Sequence, residues 1–207
     1  MRLFIGIPVP PAPSFAAVTR VLLGAAPDGK AVPEGSWHIT LRFLGEVPDP
    51  APVAAALDRA LLGQHALHGL VEGLGAFPSA RKAGVVWAAV QAVGLDEVAQ
   101  KVRAATATMG ARETKPFHAH VTLLRLPSPK DLHAFLEQHQ GTGFAEGWLD
   151  RVVLWRSELG PKGPRYTPMH TVALPLPGDD GRWPAALAPR SPAHPAGASP
   201  HGTSPQP

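Results

Sequence analysis

Two eight-residue segments about 80 residues apart, 37–44 and 117–124, share one alternation of apolar and polar residues. Successive side chains of a β-strand point to opposite faces, so this alternation predicts two strands that each bury one face. The apolar faces are Trp37, Ile39, Leu41 and Phe43 in the first segment and Phe117, Ala119, Val121 and Leu123 in the second. The opposite faces carry His38, Thr40 and Arg42, and His118, His120 and Thr122. The fold must therefore hold a His-x-Thr tripeptide twice, each time away from the core.

The remaining strand and helix signals alternate along the chain and predict an α+β fold. Further strands are predicted at 3–9, 68–77, 84–91, 144–155 and 165–174, and helices at 14–23, 50–63, 95–109 and 129–141. Proline near the start and glycine after the end are typical of helix boundaries. In each half, a His-x-Thr-Leu strand is followed by a helix that begins at a proline. This repetition predicts an internal duplication, with the two strands side by side across a pseudo-two-fold axis.

Composition divides the chain into a globular part, residues 1–177, and a C-terminal tail, residues 178–207. The tail is rich in Pro, Ala, Ser and Gly and has few large apolar residues. Such a segment buries too little apolar surface to offset the entropy lost on ordering, so we expect it to be disordered. It also contains a third match, His201-Gly202-Thr203, which we regard as coincidental because no alternating strand surrounds it.

Composition also excludes several classes of chemistry. The chain has no cysteine, which rules out disulfides, thiol nucleophiles and Cys-ligated zinc. Its net charge of +3 suits an anionic ligand but is equally ordinary for a soluble protein. Prolines interrupt the apolar N-terminus, and no apolar stretch is long enough to cross a bilayer. We therefore expect a cytoplasmic, monomeric protein with no membrane partner.

The paired His-x-Thr tripeptides indicate phosphoryl chemistry. Histidine exchanges a proton near neutral pH, and a threonine two residues away can donate a hydrogen bond to a phosphoryl oxygen. Two facing pairs could hold a phosphate between a general base and a general acid, with no metal or other cofactor. His118 and His120 could also form a metal pair, but no carboxylate or cysteine stands nearby in sequence to complete it. We therefore predict no metal site.

Three segments together resemble one known family. They are Met1 to Pro8 (MRLFIGIP), Trp37 to Gly45 (WHITLRFLG) and Pro116 to Leu123 (PFHAHVTL). Over about residues 1–176 the chain resembles the 2H phosphoesterase superfamily, and within it the RNA 2′,3′-cyclic phosphodiesterases, also called 2′-5′ RNA ligases. The resemblance implies two pseudo-symmetric lobes of antiparallel sheet with outer helices around a central cleft.

The resemblance also implies roles for individual residues. His38 matches a catalytic proton donor and His120 a proton acceptor, while Thr40, Thr122 and Arg125 match phosphate-binding residues. Strict alternation would turn Arg125 towards the core, so its strand must end or bend near Leu124. Further candidates for nucleotide contact are the following four residues: Arg42, Phe4, Phe43 and Tyr166. Of these, Arg42 is better interpreted as a solvated charge at a strand end, and the alternation favours a core position for Phe43.

The implied activity is hydrolysis of a terminal RNA 2′,3′-cyclic phosphate to a 2′-phosphate, with reversible 2′-5′ ligation as a minor reaction. The partners are then RNA ends or cyclic-phosphate nucleotides. One alternative is a related enzyme that acts on 2′-5′ oligoadenylates or on an ADP-ribose cyclic phosphate. Another is a non-catalytic module that binds RNA or nucleotides, although binding alone requires no pair of proton-transfer groups.

Overall fold

The structure is a computed structural model and describes residues 1–9, 12–160 and 163–177. The described strands are β1 (Arg2–Pro8), β2 (Lys30–Ala31), β3 (His38–Glu46), β4 (Leu67–Phe77), β5 (Ala83–Ala92), β6 (His120–Lys130), β7 (Gly143–Leu149), β8 (Arg151–Gly160) and β9 (Gly163–Ala173). The described α-helices are α1 (Pro13–Ala25), α2 (Ala51–Ala60), α3 (Leu95–Ala105) and α4 (His133–Glu137). The predicted tail lies outside the described residues, so the domain boundary at residue 177 stays a prediction.

The nine strands form one antiparallel sheet, which confirms the α+β class and the two-lobed arrangement. Its order is β7-β4-β5-β6-β3-β1-β8-β9, and β2 pairs with β6. The strands with the His-x-Thr tripeptides, β3 and β6, are therefore central neighbours with three strands beyond each. Between them the described residues pair at one position, Ile39 with Val121. This narrow junction divides the sheet into a β3-β1-β8-β9 lobe and a β6-β5-β4-β7 lobe.

The apolar faces of the helices and of the central strands form the core. Phe15 and Leu22 of α1 and Val98 of α3 are fully buried, as are Ile39 and Val121 at the junction. Helix α1 has a proline in its first turn, and α3 has Asp96 and Glu97 at its N-terminal end, where carboxylates interact favourably with the helix dipole. Within the described part of the chain, no helix is long and apolar enough to cross a membrane.

A β-bulge interrupts the alternation of each central strand directly after its His-x-Thr tripeptide. In β3, Gly6 of β1 pairs with Thr40 while Ile5 pairs with Arg42, so one extra residue is accommodated there. Both Leu41 and Arg42 are consequently buried, at 0% and 2% exposure. The bulge reverses the alternation beyond it and leaves Phe43 54% exposed. The predicted positions of Arg42, outside the core, and Phe43, inside it, are therefore both wrong.

The bulge in β6 occupies the equivalent position. Trp87 of β5 pairs with Thr122 and Val86 with Leu124, so Leu123 is the extra residue. Leu123 and Leu124 are both fully buried, and Arg125 is returned to the exposed side. The predicted bend near Leu124 is thus present as a bulge, and the strand does not end there but continues to Lys130.

Three predicted helices are shorter than expected, and α2 ends at Ala60 rather than at Gly63. Helix α3 ends at Ala105 rather than Met109, and the guanidinium of Arg42 binds backbone carbonyls of the segment that follows. The helix predicted from Pro129 begins instead at His133, because β6 continues to Lys130. The backbone N–H of His133, the first residue of α4, donates to Asp131 Oδ1 at 3.0 Å.

Candidate active site

The two His-x-Thr tripeptides face each other across the junction of the lobes. Because Ile39 pairs with Val121 in antiparallel register, His38 lies opposite Thr122 and Thr40 lies opposite His120. The Cβ atoms of directly opposed residues are about 4.5–5.5 Å apart, and their side chains point to the same face. The four side chains therefore lie on one face at the junction, with each histidine opposite the threonine of the other strand.

Both imidazole rings are oriented by the same hydrogen bond. His38 Nδ1 lies 2.8 Å from the Ser36 carbonyl oxygen, and His120 Nδ1 lies 2.6 Å from that of His118. A carbonyl only accepts, so Nδ1–H donates in each ring and the neutral tautomer has its lone pair on Nε2. Each ring thus keeps Nε2 as the nitrogen that can accept or donate a proton towards a ligand.

The surroundings of the two histidines favour the neutral imidazole. Burial lowers the pKa of His38 and that of His120, and the hydrogen bonds from Nδ1 oppose this effect. The positive charge of Arg125 lowers both pKa values further. A bound phosphate would act in the opposite direction, because a nearby negative charge stabilises the imidazolium. The site can therefore hold one neutral and one protonated histidine when an anion lies between them.

Arg125 lies close enough to act on three groups of the site. Its charge affects His38 and His120, and it also opposes the rise in the pKa of Tyr166 that burial causes. Arg125 itself is exposed, and within the described residues no carboxylate forms an ion pair with it. The bulge at Leu123 thus places an unneutralised guanidinium beside both imidazoles.

Tyr166 reaches the site because the sheet curls. Its strand, β9, is separated from β3 by β8 and β1, which corresponds to about 14 Å in a flat sheet with strands about 4.8 Å apart. Nevertheless the ring centroids of Tyr166 and His38 are 5.3 Å apart, in an edge-on arrangement. The curl therefore brings the only tyrosine of the chain against the first histidine.

The His38 ring rests on Phe4, with centroids 4.8 Å apart. Phe4 is only 3% exposed, so it supports His38 and offers no face to a base, which corrects its predicted nucleotide contact. Gly6 leaves room for this packing, since a Cβ there would lie 2.7 Å from the Ile39 carbonyl oxygen and 3.4 Å from the His38 ring. Phe43 is the exposed aromatic on this side, 6.1 Å from Phe4.

Sequence reasoning missed the aromatic residues that support the second histidine. The ring centroids of Phe77 and Trp87 lie 5.1 Å and 6.0 Å from that of His120. Trp87 also contacts His118, at 4.6 Å, and a Cβ at Gly75 would overlap its indole ring. These residues follow no motif, and their role appears only when β5 is paired with β6.

Arg42 does not belong to the site. Its guanidinium donates to the carbonyl oxygens of Arg103 at 2.8 Å, Met109 at 3.1 Å and Ala111 at 3.3 Å. Both predicted roles, nucleotide contact and solvated charge, are therefore wrong. Arg42 instead fastens the segment after α3 to the bulge of β3.

The described residues contain no group of three or more His, Asp or Glu side chains arranged to hold a metal ion. His118 and His120 have ring centroids 5.6 Å apart, but no third ligand of these types joins them in the described part of the chain. What the site offers a ligand is two Nε2 atoms, two threonine hydroxyls and one guanidinium, a set suited to a phosphate group.

Comparisons with known proteins identify the family of the chain and agree with its fold. The model of the 2′-5′ RNA ligase superfamily matches residues 8–161. An RNA 2′,3′-cyclic phosphodiesterase of Aeropyrum pernix is 34% identical over 151 residues, 69% of this chain and 85% of that protein. The crystal structure of TT0787 of Thermus thermophilus has a TM-score of 0.64 and 28% identity, covering 85% of this chain and 99% of its own. E. coli LigT complexed with 3′-AMP has a TM-score of 0.61 and 27% identity, covering 84% and 97%.

Proposed function

Since the chain belongs to the 2′-5′ RNA ligase superfamily of 2H phosphoesterases, we propose that it hydrolyses terminal RNA 2′,3′-cyclic phosphates to 2′-phosphates. The observation that carries the proposal is the pairing of Ile39 with Val121, which puts His38 and His120 on the same face of two neighbouring strands. The activity named for the Aeropyrum pernix relative supports the same reaction class.

In the proposed reaction the cyclic phosphate lies between the two histidines. His120 Nε2 removes a proton from a water molecule, whose oxygen attacks phosphorus. The bond from phosphorus to the ribose 3′-oxygen breaks, and His38 Nε2–H gives that oxygen its proton. The products are a 2′-phosphate and a 3′-hydroxyl. In-line displacement requires this placement of base and acid on opposite sides of phosphorus.

Three further residues stabilise the charge that develops on the phosphoryl oxygens. Thr40 and Thr122 lie on the same face as the two histidines and donate hydrogen bonds to the non-bridging oxygens. Arg125 neutralises negative charge, which is consistent with its effect on the pKa values of both histidines. Side chains thus transfer the protons, orient the phosphate and stabilise its charge, and we propose that no metal ion takes part.

The base of the terminal nucleotide stacks on Phe43, whose neighbour Phe4 also packs against Tyr166. Phe43 is 54% exposed on the side of the site, and aromatic rings that remain partly exposed are suitable platforms for a base. E. coli LigT was crystallised with 3′-AMP, which supports recognition of a nucleoside with phosphate on its ribose. The same groups could run the reaction in reverse, with an RNA 5′-hydroxyl in place of water, and form a 2′-5′ linkage as a minor activity.

A turnover assay on a 2′,3′-cyclic mononucleotide tests this proposal. We expect the wild-type protein to release the nucleoside 2′-phosphate, identified by ³¹P NMR, at the same rate with and without EDTA. The double variant His38→Ala/His120→Ala, purified in parallel, is the control for contaminating phosphodiesterases and should release none. A 3′-phosphate product, loss of turnover in EDTA, or turnover only of 2′-5′ oligoadenylate or an ADP-ribose cyclic phosphate would overturn it.

A further inference from the structure

A second cation lies directly beside Arg125. Strand β2 is only two residues long and pairs Lys30 with Arg125 in antiparallel register. The other neighbour of Arg125 is Val85 of β5. Since a strand has two edges, β2 occupies the same edge of β6 as β3 does. Lys30 therefore lies beside β6 on the same edge as His38, further along the strand from the position where His38 lies opposite Thr122.

Both cationic side chains point to the side of the catalytic residues. Directly opposed residues of antiparallel strands share a face, and Arg125 faces the site because of the bulge at Leu123. The preceding residue, Gly29, faces the other way, since a Cβ there would lie 2.9 Å from the side chain of Leu124 in the core. Successive residues alternate, so Lys30 points away from the core. Thr122 and Arg125 are then neighbouring side chains on one face of β6, and Lys30 lies next to Arg125.

The pair carries positive charge that nothing in the described structure neutralises. Like charges directly opposite each other destabilise a sheet. The acidic residue nearest in sequence to Lys30, Asp28, is engaged with Lys130, and the one nearest to Arg125, Asp131, is engaged with Arg81. Glu34, four residues after Lys30, forms no ion pair with it within the described residues. Within the described ranges neither Lys30 nor Arg125 has an ion-pair partner, and Lys30 is exposed. An anion at this point would relieve the repulsion.

We propose that Lys30, together with an Arg125 shared with the scissile phosphate, forms a second phosphate subsite, which binds the phosphodiester that joins the terminal nucleotide to the rest of an RNA chain. This inference rests on the proposed function, because it takes the cyclic phosphate to lie between His38 and His120. Because of the bulge, Thr122 lies opposite Trp87 and Arg125 opposite Val85, so the two side chains are two residues of β5 apart, about 7 Å at the usual rise of a strand. The next backbone phosphate is the anion that a cyclic-phosphate RNA end carries at such a distance. The pair therefore favours an oligonucleotide over a mononucleotide.

The test compares Lys30→Gln with the wild type on two substrates, a 2′,3′-cyclic mononucleotide and a tetraribonucleotide ending in a 2′,3′-cyclic phosphate. Loss of one charge-assisted contact should lower kcat/KM for the tetranucleotide on the order of tenfold at low salt. The dependence of log kcat/KM on log salt concentration should become shallower by about 0.7. The mononucleotide should be hydrolysed at an unchanged rate. Lys101→Gln is the matched control, since Lys101 is an exposed lysine on α3 that donates to Gln64.

The outcomes separate this inference from the proposed function. Equal effects of Lys30→Gln on both substrates, or no effect on either, overturn the subsite while the wild-type turnover leaves the function standing. If the wild type hydrolyses neither substrate, the proposed function fails. In that case fluorescence anisotropy with a 5′-labelled tetranucleotide 3′-phosphate decides the subsite alone: weaker binding by Lys30→Gln than by Lys101→Gln supports it, and equal binding overturns it.

Discussion

His38 and His120 each commit Nδ1 to the carbonyl oxygen of the residue two positions earlier. Each ring also rests on an aromatic side chain, Phe4 under His38 and Phe77 beside His120. Backbone and packing thus fix the direction of both Nε2 atoms before a substrate binds, which lowers the cost of orientation during the reaction. The two histidines were identifiable from sequence by their alternating strands, whereas these supports come from strands that no motif marks.

The exposed ring of Phe43 should contribute to substrate binding and not to proton transfer. Replacing it with alanine should remove about 1–3 kcal/mol of stacking on the substrate base, which corresponds to a rise in KM of about 5- to 150-fold. Because its ring is 54% exposed and takes no part in proton transfer, kcat should change little. Steady-state kinetics on a cyclic mononucleotide measure both constants. Leu62→Ala, at an 88% exposed apolar residue, is the control. An unchanged KM in Phe43→Ala would contradict the stacking role.

The two bulges are the elements that sequence reasoning resolved least well. Alternation predicts that residues two apart share a face, and this holds from His38 to Thr40 and from His120 to Thr122. One extra residue in each strand then reverses the pattern, which buries Arg42 and exposes Phe43. A bulge depends on the register with the neighbouring strand, here Ile5 with Arg42, and single-strand periodicity does not contain that information. In β6 the irregularity was expected, because Arg125 matches a phosphate-binding residue and could face the site only if the strand ended or bent near Leu124.

Arg42→Met tests what holds the bulge of β3 in place. The guanidinium donates to four carbonyls, those of Arg103, Ala107, Met109 and Ala111. Methionine fills much of the space but satisfies none of them, so we expect a loss of about 3 kcal/mol in the free energy of unfolding. Urea denaturation followed by tryptophan fluorescence measures it. Arg59→Met, at an exposed position of α2, should change stability by less than about 0.5 kcal/mol. Equal urea midpoints for the two variants would contradict the stabilising role of the Arg42 hydrogen bonds.

At the scale of the whole molecule, the duplication predicted from sequence is visible in the sheet. Each lobe has four strands counted outwards from the junction, in the order β3, β1, β8, β9 on one side and β6, β5, β4, β7 on the other. The lobes are nevertheless not the two halves of the chain: β4 follows α2 yet lies in the β6 lobe, and β8 and β9 return to the β3 lobe. Periodicity predicts strands but not this interleaving, which is set by long-range pairing. Tyr166 reaches His38 only through it.

The mirrored sheet also explains why the two catalytic roles are hard to separate by inspection. Each histidine donates an equivalent hydrogen bond from Nδ1, lies opposite a threonine of the other strand and has a pKa that burial lowers. The two ends of the site do differ, however. Arg125 stands after the second tripeptide where Phe43 stands after the first, so charge is concentrated at one end and an aromatic surface at the other. A nucleotide, with a phosphate and a base, matches that asymmetry.

The pH dependence of kcat/KM on a cyclic mononucleotide, for the wild type, His38→Ala and His120→Ala, tests the acid–base pair most directly. We predict a bell-shaped wild-type profile whose low-pH limb lies below the ordinary histidine pKa of 6.5, because burial lowers the pKa of His120. Each variant should be about 10²- to 10⁴-fold slower. His120→Ala should lose the low-pH limb and His38→Ala the high-pH limb, while the exposed-site control His65→Ala keeps both. Full activity in either variant, or loss of the same limb in both, would contradict the account.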